Sequence, residues 1–266
     1  MVVAAASSPP VLGMLAHDLR WTIVSLLADG DLRTGELVTR TGQAPSLVSY
    51  HLGRLRDAGL VSVRRSTADG RDSYHVLDLD AVGQALGAMA ADIHPGLLAD
   101  IIARDPVRGG PMDTALRSGG PGVTPRANTV LFICSGNSAR SPMAAGWLNH
   151  LGGGKVTARS AGIAPAPLHP LAVAAMAEHG VDISGHRPAS LEAFARHSFA
   201  RVITLCDRAR EACGELPAGS AAVHWSIPNP AQAHPPDLDA FRATARELRT
   251  RIRHLLPVLS AGRRVR

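Results

Sequence analysis

The chain has 266 residues, 45% hydrophobic and 19% charged, with a formal net charge of +6 and a pI near 10.2. That balance excludes a disordered or fibrous chain, the length favours two domains that each bury a core, and no apolar run is long enough to cross a bilayer. Three cysteines, Cys134, Cys206 and Cys213, are too few for a secreted disulfide framework. The opening MVVAAASSPPVLG has no basic start followed by a sustained apolar stretch, so the expected address is cytoplasmic, with no membrane partner.

Taken in chain order, residues 1–10 read as a flexible N-terminus. Leu12, Leu15, Leu19, Ile23, Leu26 and Leu27 recur at three- and four-residue steps and predict one helix, stopped by Asp29-Gly30. Residues 33–42 predict a short helix with Thr34 as N-cap, closed by Gly42. A second helix starts after Pro45, with Leu47, Val48, Leu52 and Leu55 as its buried stripe and Ser46, Ser49, Tyr50, His51 and Arg54 on an exposed face. Two helices and a tight turn make a helix-turn-helix. Gly59 to Arg65 reads as a strand, Ala68 to Arg71 as a turn and Ser73 to Leu77 as the return strand, which together form a wing. Between residues 33 and 71 seven arginines face Glu36, Asp57 and Asp69, an excess of four positive charges that suits phosphate contacts from Arg64, Arg65 and Arg71. A long helix follows from about 79 to 104. His17, His51, His75 and His94 show no helical ligand spacing, so no metal is expected.

The run SLVSYHLGRLRDAGLVSVRR, its glycine-turn wing and the long helix resemble the ArsR family of winged-helix repressors over residues 10–104. The resemblance implies a double-stranded DNA operator and a homodimer paired through the first and last helices. Family members that sense metalloids place cysteines in this half; this chain has none there, which excludes arsenite sensing by thiolates within it.

Residues 105–127 break the apolar periodicity with Gly, Pro, Ser and Thr and read as a linker. Asn128 to Ile133 then predicts a strand and Ser141 to Leu148 a helix with Pro142 in its first turn. Between them lies CSGNSAR. A glycine-containing loop that runs into a helix N-terminus converges backbone N–H groups and the positive end of the helix dipole, so Ser135, Gly136, Asn137, Ser138, Ala139, Arg140 and Ser141 form an anion cradle. The same field favours an anionic sulfur, which makes Cys134 the candidate nucleophile, and Arg140 offers a planar fork to two oxygens of a phosphate or arsenate.

CSGNSARS resembles the signature of low-molecular-weight protein tyrosine phosphatases and of the arsenate reductases built on that fold. The likeness spans about 128–257 and includes Arg159-Ser160-Ala161-Gly162 after the second strand and the stretch from Val181 to Arg187. The implied architecture is two domains: a mainly α winged helix-turn-helix over 11–104, and an α/β domain with a central parallel sheet over 128–258, followed by a basic tail at 259–266. After the apolar strand Val202 to Leu205 come Cys206 and, seven residues on, Cys213, which resemble the redox pair of thioredoxin-coupled arsenate reductases. By that resemblance Cys134 attacks arsenate, Cys206 displaces the adduct and Cys213 resolves the disulfide, with thioredoxin or a similar thiol system as reductant and no bound cofactor. The alternatives are a phosphotyrosine phosphatase and a catalytically weak domain that senses oxyanion or arsenite for the DNA reader.

Three positions depart from the family pattern. Asn229 stands where the general-acid Asp of an Asp-Pro pair belongs, and an amide cannot donate a proton as an acid, so turnover should be slow unless Asp237, Asp239 or water substitutes. Ala139 replaces a second loop cysteine found in many of the phosphatases. Ala145 replaces the Glu that helps some reductases hold potassium.

Overall fold

A computed structural model describes residues 9–68, 70–94, 96–97, 129–212, 221–232 and 235–260. The proposed linker at 105–127 and residue Cys213 lie outside them. The chain separates into two compact units.

In the first unit the expected opening helix is two: α1, Pro10–Leu15, and α2, Asp18–Asp29. His17 adopts an extended conformation between them and caps α2, its Nδ1 accepting the Leu19 amide at 3.2 Å. Apolar spacing survives a break this short, so the periodicity could not show it. A two-residue strand β1, Leu32–Arg33, precedes α3, Thr34–Thr41. The N-cap of α3 is Arg33 rather than Thr34: the Glu36 carboxylate accepts the Arg33 amide at 2.8 Å, while the Thr34 hydroxyl lies 2.9 Å from His75 Nε2. Gly42 ends the helix at φ 65°, in the left-handed region that glycine adopts without cost.

Helix α4 covers Pro45–Asp57, with Pro45 in its first turn. Val48, Leu52 and Leu55 are buried as expected, but Leu47 is 40% exposed and His51 only 3%. His51 therefore belongs to the inner face, its ring 4.2 Å from that of His17 and its Nδ1 3.4 Å from Arg20 Nη1. The wing is β2, Val61–Arg65, antiparallel to β3, Ser73–Leu77, with Val63 opposite His75, and β1 adds to the free side of β3. Asp78 caps α5, Leu79–Ile93, by accepting the Ala81 amide at 2.8 Å. α5 ends at Ile93, because His94 precedes Pro95 and the residue before a proline is pushed out of the helical region; Gly96 and Leu97 are again helical, and residues 98–104 of the expected helix lie outside the described residues.

The second unit is a four-stranded parallel sheet in the order β5-β4-β6-β7, built from β4 (Thr129–Cys134), β5 (Thr157–Gly162), β6 (Arg201–Thr204) and β7 (Ala221–His224). Val130, Leu131, Phe132 and Ile133 are all fully buried, because helices cover both faces of a parallel sheet and leave no room for alternation. Those helices are α6 (Arg140–Leu151), α7 (Pro170–Ala177), α8 (Asp207–Ala212) and α9 (Leu238–Ser260). Arg159 to Gly162 forms the end of β5 itself rather than following it, with Gly162 in register with Cys134. The final helix runs through 259–260, where the tail was expected to begin. The chain leaves β4 for β5 on one side and later returns to β6 on the other, so the loop after Cys134 sits where the strand order reverses. In doubly wound sheets this crevice is where ligands bind.

Candidate active site

Four amides from the segment after β5 hold the loop between Cys134 and α6. Ile163, Ala164, Ala166 and His169 donate to the carbonyls of Cys134, Ser135, Gly136 and Ser138 at 3.3, 2.9, 2.9 and 2.8 Å. In a planar trans peptide the next N–H points opposite to the carbonyl. The amides of Ser135, Gly136, Asn137 and Ala139 are thereby turned away from that segment, a convergent set of donors of the kind that receives an anion. Gly162 permits the close approach, since a Cβ there would lie 2.8 Å from Asn137 N.

Asn137 takes a left-handed φ of 47° and is fully buried, its side chain running behind the loop. Its Oδ1 accepts the Ala189 amide at 2.8 Å and lies 3.1 Å from His186 Nε2; its Nδ2 donates to Ser141 Oγ at 2.9 Å, and Ser141 Oγ sits 3.0 Å from Cys134 Sγ. Burial lowers the His186 pKa, and its bond to Asn137 opposes that in part. Among the residues expected to bind oxyanion, the side chains of Asn137 and Ser141 thus act from behind. Cys134, Ser135, Gly136, Ser138, Ala139 and Arg140 line the pocket itself. Arg140 is held by a bond from Nη1 to the Ile227 carbonyl at 3.1 Å.

The opposite wall brings Cys206, Arg208, Asn229, Ala231 and Gln232 to the same cavity. Cys206 follows β6, which pairs directly with β4, and its Sγ lies 3.2 Å from Ser135 Oγ while accepting the Ala209 amide at 3.3 Å. Beside it, Asp207, His224 and Ser226 form a buried network: Asp207 Oδ1 lies 3.1 Å from His224 Nε2 and accepts Ser226 Oγ at 2.8 Å, and His224 Nδ1 is 2.8 Å from Thr204 Oγ1. Burial alone would raise the Asp207 pKa, but the bond to His224, the bonds from the Thr67 amide and hydroxyl to Oδ2 at 2.7 and 3.0 Å, and the bond from Ser226 outweigh it and hold the carboxyl well below the usual range. Asn229 Oδ1 accepts the Ala231 amide at 3.4 Å. Asp237 and Asp239 do not line the cavity: Asp237 accepts the Asp239 amide at 3.1 Å, and Asp239 pairs with Arg242 at 2.8 Å.

The sequence model of the low molecular weight phosphotyrosine protein phosphatase family matches residues 129–265. The chain belongs to this family. A second model, of bacterial regulatory proteins of the arsR family, matches residues 17–63. An arsenate reductase of Halalkalibacterium halodurans is 35% identical over 127 residues, 47% of this chain and 91% of its own. One from Staphylococcus aureus is 40% identical over 103 residues, 39% and 79% respectively, and a glutaredoxin arsenate reductase of Synechocystis is 32% identical over 131 residues, 49% and 98%. An arsR-type DNA-binding domain is here fused to a phosphatase and arsenate reductase-type domain.

In the arsR-type domain, Ser46, Ser49, Tyr50 and Arg54 lie exposed along α4, and Arg65 and Arg71 are exposed and Arg64 half-buried on the wing. His51 is absent from that surface because it packs inward. Arg33 turns back to donate to the Tyr74 hydroxyl at 2.7 and 3.0 Å and to pair with Asp72. Among the described residues no group of three or more His, Cys, Asp or Glu could hold a metal ion, and no helix is long and apolar enough to cross a membrane. In the phosphatase-type domain, sequence reasoning missed Arg208, Gln232 and the Asp207–His224–Ser226 network. Arg208 had a weak signal, since it follows Cys206 by two residues in a second strand-to-helix turn; Gln232 and His224 had none.

Proposed function

We propose that the second unit reduces arsenate to arsenite through the thiols of Cys134, Cys206 and Cys213, and that the first binds operator DNA as a homodimer. The observation that carries the reading is that Cys206 opens on the same cavity as Cys134 and Arg140, linked to the anion loop through the Ser135 hydroxyl at 3.2 Å. A phosphatase has no use for a second sulfur on that wall.

In the proposed cycle the Cys134 thiolate attacks arsenic and displaces hydroxide, forming an S–As(V) bond, while the loop amides and Arg140 hold the remaining oxygens. The Cys206 thiolate then attacks Cys134 Sγ. The S–As electron pair passes to arsenic, arsenite leaves as As(III), and a Cys134–Cys206 disulfide remains. Cys213 attacks Cys206, freeing Cys134 and leaving a Cys206–Cys213 disulfide for a dithiol protein of the thioredoxin class to reduce.

A coupled assay of arsenite release with thioredoxin, its reductase and NADPH tests the cycle. Cys134→Ser should be inactive. Cys206→Ser should bind arsenate without releasing arsenite, and Cys213→Ser should release one equivalent and stop. Sustained turnover by Cys213→Ser would sink the relay. For the first unit, the exposed Ser46, Ser49, Tyr50 and Arg54 supply base-edge contacts in the major groove and the wing arginines supply phosphate contacts. The apolar residues Leu86 and Ile93 of α5, 41% and 66% exposed, support pairing with a second copy.

A further inference from the structure

Helix α9 carries five arginines and two carboxylates, and the carboxylates are spoken for. Arg242 takes Asp239 at 2.8 Å and Glu178 at 2.6 Å, and Arg251 takes Glu247 at 3.2 Å. Arg246, Arg249 and Arg253 remain, all exposed. At about 100° per residue they fall within about 60° of one another on the helix, and they span about 10 Å of its axis. Arg249 lies over the ring of the buried Trp147 at 5.5 Å, which fixes the middle of the row, and none of the three pairs with a carboxylate among the described residues.

We propose that this ridge binds the phosphate backbone of double-stranded DNA. Capture of a small oxyanion needs donors that converge in a concavity, as the Cys134 loop provides; a straight row of cations fits a polyanion, and a DNA strand presents one charge per about 3.4 Å of axis. Guanidinium forks suit phosphate oxygens better than ammonium groups. The arsR-type domain on the same chain raises the local concentration of duplex around the ridge, so even weak contacts add to affinity. The contacts carry no sequence information and act as an electrostatic hold on the backbone.

The test is the salt dependence of binding by the full chain to a fluorescently labelled duplex of mixed sequence, read by anisotropy. Removing one arginine–phosphate pairing should flatten the slope of log K against log salt by about 0.9, so Arg246→Gln with Arg253→Gln should flatten it by about 2. Arg246→Lys with Arg253→Lys should keep a slope near that of wild type. Lys155→Gln with Arg196→Gln, which removes two exposed cations elsewhere on the unit, should leave the slope alone. Thermal melting and inorganic phosphate binding by the variants verify that the fold is intact. A wild-type slope in the Arg→Gln pair overturns the proposal, and so does an equal flattening in the control pair, which would mark an effect of net charge alone. Neither result bears on arsenate reduction.

Discussion

Gly162 decides how closely the anion loop can lie against the sheet. A methyl group there would sit 2.8 Å from Asn137 N and 2.9 Å from the Gly136 carbonyl carbon, both backbone atoms that cannot swing aside. Gly162→Ala should therefore push the loop off its four anchoring amides, and calorimetric titration with inorganic phosphate should show at least a tenfold weaker Kd together with a lower melting temperature. Asn229 poses a question of chemistry rather than of space. Hydrolysis of an ester requires a proton for the leaving oxygen, and positioned acids contribute about 10²–10⁴-fold. Asn229→Asp should raise hydrolysis of an aryl phosphate by about 10²-fold, and should speed arsenite release to the extent that departure of hydroxide from arsenic in the first step limits it. No gain in aryl phosphate hydrolysis would show that position 229 does not serve the leaving oxygen.

At the scale of elements, the hairpin of the first unit contains a proton-sensitive weak point. His75 on β3 is 6% exposed, and its Nδ1 is buried without a partner among the described residues. Burial, then the charge of Arg56, push its pKa down to about 4 from the ordinary 6.5. The unfolded chain therefore binds the extra proton between those values, so stability is full above pH 6.5, falls as pH drops toward 4 and levels off below. The loss is on the order of 3 kcal/mol, and urea titrations of wild type and His75→Gln between pH 7 and 4 should show a steeper acid-side decline in the former, the lowered pKa values of His51 and His186 being common to both. Helix α5 carries a second prediction: Leu86→Glu with Ile93→Glu should break the proposed homodimer, leaving the full chain monomeric in sedimentation, and weaken operator binding.

The same scale explains what could be read from the sequence. The strand, loop and helix around Cys134 are contiguous, and their signals of apolar run, glycine and helix start are local. The other wall reaches the site through the parallel register of β6 and β7, some 70 to 100 residues further along the chain, and no local pattern encodes that; only the cysteine at 206 betrayed it. His51 was legible but misassigned. Val48, His51, Leu52 and Leu55 stand at i, i+3, i+4 and i+7, the spacing of one helix face, yet the polar character of histidine and the apolar character of Leu47 suggested the reverse. The break between α1 and α2 and the two residues of β1 are shorter than any periodic pattern can resolve.

Taken as a whole, the molecule joins a reader of nucleic acid to a receptor for a small oxyanion, and it carries its positive charge almost entirely on arginine, with Lys155 its only lysine. Joining the two does not couple them; coupling requires that oxyanion or thiol state change the DNA-binding free energy, and by reciprocity that DNA change oxyanion affinity to the same degree. The oxyanion receptor itself is built before its ligand arrives, because its carbonyls are already fastened to residues 163–169. Nothing need be ordered on capture, so the encounter should proceed in one step: stopped-flow traces of phosphate binding should be single exponentials whose rate rises linearly with concentration, without the plateau that a slow closing motion would impose.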